Sequence, residues 1–203
     1  MLNGWVLIQI LGFLKFANNK RRKKMNLIVL VDKNQNLLNA RSLTDFPSAQ
    51  ELLNERTNNA TVVFDEKSSD LAPFFLHTKK IFFDKSKESK LPEIFSPLEN
   101  DYTCSFKQLF DKINGLNENN IFLFGDRFSL LLLPYAKKVY LVRLNLSNGT
   151  TAFPDLLNSA DFKLLLGGEP LLYDKEQSHL SIFENLAVQK YIPAIKKSKF
   201  SDK

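Results

Sequence analysis

Short, almost unbroken apolar runs govern what this chain can fold into. The first, NLIVLV at 26–31, is continuous and of the kind found in strands buried on both faces of a sheet. ATVVF (60–64), KKIFFD (79–84), IFLFG (121–125) and KKVYLVRL (137–144) repeat the theme. Between them stand helical segments. Ser48 and Glu51 form a capping box at the head of SAQELLNERT, where Ala49, Leu52, Leu53 and Arg56 share one stripe. Ser105 and Gln108 cap a second helix, FKQLFDKIN. Strands alternating with helices predict an α/β architecture. The segment DFKLLLGGEPLLYDKEQSHLSIFENL (161–186) reads instead as two antiparallel strands with a long polar connection. At 203 residues and 44% apolar, the chain supports one well-cored domain rather than two.

The formal charge of +6 is unevenly placed. Residues 1–24 hold six cations, Lys15, Lys20, Arg21, Arg22, Lys23 and Lys24, and no acid; from Met25 onward 22 basic residues balance 22 acidic ones. The body of the protein is therefore not a basic nucleic-acid binder. A lone cysteine, Cys104, and two separated histidines, His77 and His179, give neither a disulfide nor metal-ligand spacing. A reducing cytoplasm, a monomer and no metal are expected.

Residues 1–24 carry an apolar run from Trp5 to Phe16, interrupted by Gln9, Gly12 and Lys15. It is shorter than the ~20 residues of a spanning helix, and its positive charge follows the apolar run, the reverse of a secretory signal. Three readings stand: an amphipathic surface anchor, a membrane anchor with its N-terminus inside, or upstream sequence read from an early start codon. A membrane partner is expected only if residues 1–24 are part of the protein. The domain itself is expected over 25–190, followed by a basic tail at 191–203.

The stretch IFLFGDRFSLLLLPYAKKVYLVRL (121–144) places a glycine turn between a strand and a helix N-terminus, where many chains hold a phosphate. From Met25 to about Leu186 the order of pieces resembles dihydrofolate reductase: the first strand running into VDKN, the helix behind FP, then TVVF, IFLFG, LLPYAKKVYLVRL and FPDL. That resemblance implies an eight-stranded, mostly parallel sheet flanked by helices. It also implies reduction of 7,8-dihydrofolate to tetrahydrofolate by NADPH, and thus a place in one-carbon metabolism.

The resemblance also fixes where the family's site residues fall, and here the chain departs from it. The family's acid, two residues after the proline of the first helix, is Ala49, so no catalytic residue is assigned. Ala49, Leu52, Leu53 and Val142 take the substrate-binding positions, with Val142 replacing a threonine that supports the acid. The turn Gly-Arg-x-Thr/Ser that holds cofactor phosphates is Asp65-Glu66-Lys67-Ser68. Two acids there oppose a 2′-phosphate, since like charges near 4 Å cost about 1 kcal/mol even in water. The family's Gly-Gly pair falls on Gly125-Asp126, or with Phe124 in the first glycine's place, and is broken on either placement; Arg127 follows. The arginine for the folate glutamate falls near Thr78, beside Lys79 and Lys80, and SLTDFP lacks a Pro-Trp pair. Lys67, Ser68, Gly125, Asp126 and Arg127 remain the candidates for NADPH. The expectation is a degenerate active site with weak or absent turnover, or a non-catalytic ligand-binding or protein-interaction domain on the same fold.

Overall fold

The computed structural model describes residues 24–83, 100–103, 105–116, 120–170 and 178–188. The readings made for residues 1–23, for Cys104, for the connection at 171–177 and for the tail lie outside these. The apolar runs become β1 (Lys24–Val31), β3 (Thr61–Asp65), β4 (Lys79–Phe83), β6 (Asn120–Phe124) and β7 (Lys138–Arg143), joined by β5 (Asn100–Thr103), β9 (Phe162–Pro170) and β10 (His179–Asn185). Two-residue strands β2 (Asn36–Leu37) and β8 (Thr151–Ala152) pair with each other, and β2 with β1.

The eight principal strands run in the order β5-β4-β3-β6-β1-β7-β10-β9. Every pair from β5 to β7 is parallel, and β10 lies antiparallel to both β7 and β9. The sheet is thus mostly parallel with antiparallel C-terminal strands. Alternate residues feed two cores. Ile28, Leu30, Val62, Phe64, Phe122, Phe124 and Val142 face one side, with Ala49 and Leu53 of α1 (Pro47–Thr57). Leu27, Val29, Val63, Ile81, Leu123, Val139 and Leu141 face the other, with α2 (Phe106–Gly115) and Phe128 of α3 (Asp126–Leu131).

Two local expectations change. The first helix starts one residue early, with Phe46 at its N-cap and Pro47 at its first position. Proline has no N–H to satisfy and its fixed φ suits the first turn, so Ser48 falls inside the helix and the Ser48–Glu51 box gives way. On that helix Ala49, Leu53 and Thr57 are buried, Leu52 is half-buried and Arg56 is exposed. Ser105 does cap α2, accepting from Gln108 N. His77 occupies a positive-φ turn (φ 53) and His179 lies half-buried on β10. Among the described residues no cluster of metal-ligating side chains occurs, and no helix is long and apolar enough to cross a membrane.

Asp32, the acid of VDKN, organises the loops beyond β1. It is fully buried. Its Oδ1 accepts from Asn34 N (2.8 Å) and Asn36 N (2.9 Å), and its Oδ2 from Gly149 N (3.1 Å). Burial pushes this carboxyl upward, but the surrounding N–H groups outweigh it and hold the group below the ordinary aspartate range. A lowered folded-state value stabilises above the unfolded value and is lost as pH falls through the folded one. Asp32→Ala is therefore expected to cost about 2 kcal/mol at neutral pH. In urea denaturation, the gap to the unmodified protein should narrow only as the pH drops below about 4.

Candidate functional site

In open parallel sheets ligands collect beyond the carboxyl ends of the strands, where the chain order reverses. Here that edge brings together the ends of β3, β6 and β1. At its centre stands Asp65, the last residue of β3, only 1% exposed. Its Oδ1 accepts from Lys67 N (3.2 Å) and Ser68 N (2.9 Å), and its Oδ2 from Arg127 N (2.8 Å), the second residue of α3. Ser68 Oγ accepts from Asp65 N (3.1 Å) and lies within reach of both Asp65 Oδ1 (2.8 Å) and Phe124 O (2.9 Å). One carboxylate thus satisfies the turn after β3 and the first turn of α3 together.

The two segments meet this closely because residue 125 is glycine. Gly125 has φ 151, a conformation that L side chains rarely adopt, and a Cβ there would overlap the carboxyl group of Asp65. That group is held by its hydrogen bonds and has nowhere to go. Gly125→Ala is expected to cost 3 kcal/mol or more, as about that much attends a special φ combined with a clash; chemical denaturation will measure it.

The surrounding charges are largely paired off. Arg127 Nη1 lies 3.6 Å from Glu66 Oε1, and its guanidinium stacks over the Phe83 ring at 5.6 Å. Asp126 Oδ1 accepts from Ala40 N (2.7 Å), which ties α3 to the segment after β2. Burial raises the Asp126 carboxyl above its usual range and nearby Asp65 adds to this, against the Ala40 hydrogen bond and Lys67. Lys67 is exposed. A cleft of about 370 Å³ remains, bordered by Leu38, Asn39, Lys67, Asp126 and Thr150.

The sequence candidates therefore fall into two groups. Lys67, Ser68, Gly125, Asp126 and Arg127 do converge on one locus, but the backbone N–H groups of Lys67, Ser68 and Arg127 already serve an internal anion. Ala49 (0% exposed), Leu53 (1%) and Val142 (0%) belong to one closed apolar cluster with Phe46, Phe64 and Phe124. Leu52 is half-buried against it. Phe64 and Phe75, at 5.2 Å, and Phe75 and Phe124, also at 5.2 Å, form an aromatic block there. Tyr140 packs its ring 5.2 Å from Phe122, and burial raises its hydroxyl above the usual tyrosine range. Thr78 bonds its own turn through Phe75 O (3.0 Å). Sequence reading placed Asp65 at the site as an opponent of phosphate and missed its part as an acceptor. The signal was the Asp-x-x-Ser spacing of 65–68, a common self-bonding turn.

No protein-family model matches the chain, and no curated protein matches it in sequence. Among solved structures it is similar to dihydrofolate reductase from Enterococcus faecalis complexed with NADP(H) and RAB-propyl. The TM-score is 0.60 at 13% identity, over 81% of this chain and 97% of that one.

Proposed function

On the dihydrofolate reductase-like fold that this chain adopts, we propose that it is a degenerate reductase in which NADPH-dependent reduction of 7,8-dihydrofolate is weak or absent. A non-catalytic ligand-binding or protein-interaction role then remains for the fold. The observation that carries this reading is the Asp65 carboxylate. It is bonded to the N–H groups of Lys67, Ser68 and Arg127, the set that the resemblance assigns to the cofactor's phosphates. A pyrophosphate does not fit there without displacing a buried carboxylate. Ala49 supports the same conclusion, because a methyl group neither donates a proton nor holds a ring amino group. The reading includes a cytoplasmic monomer.

A second reading, retained binding of a small ligand, draws on the cleft beside Lys67 and Asp126. The test of the main proposal is NADPH oxidation in the presence of dihydrofolate at acid, neutral and alkaline pH. Background rates throughout are expected. Turnover that methotrexate abolishes refutes the degenerate reading and directs attention to Asp45 or Glu51 as proton donors.

A further inference from the structure

A larger cleft, of about 590 Å³, opens on the opposite side of the sheet from the Ala49 cluster, between β7, β10 and the loop at 153–157. Leu141, Phe153, Leu156 and Phe183 form its floor, each at most 4% exposed, and Leu157, 65% exposed, forms an apolar wall. Leu141 and Arg143, two residues apart on β7, share one face of the sheet, with Ser181 of antiparallel β10 opposite Leu141 and Phe183 two residues further along.

Arg143 stands exposed at the rim. Its Nη2 donates to Gln35 Oε1 at 2.6 Å, a neutral partner. Among the described residues its guanidinium enters no ion pair. The nearby acid, Asp155, is engaged in its own turn: Oδ1 accepts from Leu157 N (3.0 Å) and Oδ2 from Asn158 Nδ2 (2.6 Å). The Asn158 bond, more than any other contact, holds this carboxyl below its usual range, and the Arg143 charge contributes least, so Asp155, which also borders the cleft, feels Arg143 without forming an ion pair with it.

We propose that this cleft binds an amphipathic organic anion, with an aryl or acyl body on the Leu141–Phe183 floor and a carboxylate or sulfonate against Arg143. The volume falls within the 300–1,000 Å³ or so of small-molecule sites, where an apolar surface supplies area and a few polar groups set orientation. The guanidinium fork, with one N–H bond directed to Gln35, keeps donors for an oxyanion. The inference does not depend on loss of reductase activity, since none of these residues belongs to the cofactor or folate positions.

The experiment uses the full chain and two probes with the same rings, 8-anilinonaphthalene-1-sulfonate and uncharged N-phenyl-1-naphthylamine. Saturable fluorescence enhancement at one site is expected for the sulfonate. Arg143→Gln should weaken the sulfonate about tenfold, as expected for one lost charged partner, and leave the neutral probe unchanged. Ser181→Phe, which fills the cleft, should abolish both. If that variant melts early, Leu157→Ser at an exposed position takes its place and should weaken the neutral probe. Enhancement that never saturates, or that ignores both the Arg143 and the cleft substitutions, overturns the proposal, as does an equal loss of both probes in Arg143→Gln.

Discussion

Asp65→Ala is expected to lower stability by about 3 kcal/mol, a fall in melting temperature of roughly 6–12 °C for a domain of this size. The substitution removes a buried acceptor and leaves the N–H groups of Lys67, Ser68 and Arg127 facing one another. A buried donor left without a partner costs about 1–3 kcal/mol, and the Ser68 bond is buried while those of Lys67 and Arg127 are partly so, which is why the loss exceeds that of an ordinary surface change. A second outcome separates this account from simple damage to packing. The vacated donors form a small anion site, so inorganic pyrophosphate should raise the melting temperature of Asp65→Ala more than that of the unmodified protein at matched ionic strength. The matched comparison matters because phosphate salts stabilise most folds by exclusion from their surface. Equal shifts in both proteins would mean that the turn has relaxed and offers no site.

Ala49→Asp, the change that restores the acid of the resembled family, is expected to destabilise by about 3 kcal/mol or more and to restore no turnover. Position 49 is wholly buried within an apolar cluster. A carboxyl group introduced there loses its water without gaining a partner. Val142, on β7, has no hydroxyl to offer it. Ala49→Asp with Val142→Thr should recover part of the stability, because the hydroxyl supplies one hydrogen bond. Turnover should remain at background in both, since residues that work as a unit do not restore activity one at a time. Urea denaturation and NADPH oxidation measured on the same preparations check the two halves of this expectation.

Most of the sheet was legible because β1, β3, β4, β6 and β7 are dense apolar runs that only a doubly covered sheet can bury. The strand β5, Asn-Asp-Tyr-Thr, was not legible: it has no apolar run, and its place is set by parallel pairing with β4. The start of α1 was misread by one residue because a serine with a glutamate three residues on satisfies the capping pattern, whereas Pro47 at the first position decides the actual start. At the turn after β3 and the start of α3, the residues named from the sequence meet in space, but their interplay was hidden. Asp65 and Arg127 are 62 positions apart, and no local pattern announces that the side chain of one caps the helix of the other. The sequence suggested repulsion of an external anion; the structure has the repelling group itself bound as the anion. The same distance problem hid Asp32 and Gly149, joined across 117 positions.

Equilibrium titration of the unmodified protein with NADPH, by calorimetry or by thermal shift, tests the central claim most directly. With the Asp65 carboxylate in place, no saturable binding and no shift in melting temperature are expected up to roughly millimolar cofactor. A ligand at about 100 times its dissociation constant would stabilise the fold by about 2.7 kcal/mol, well within detection. Binding in the micromolar range would contradict the account, and would mean that Lys67 or Arg127 holds the phosphates while Asp65 stays where it is.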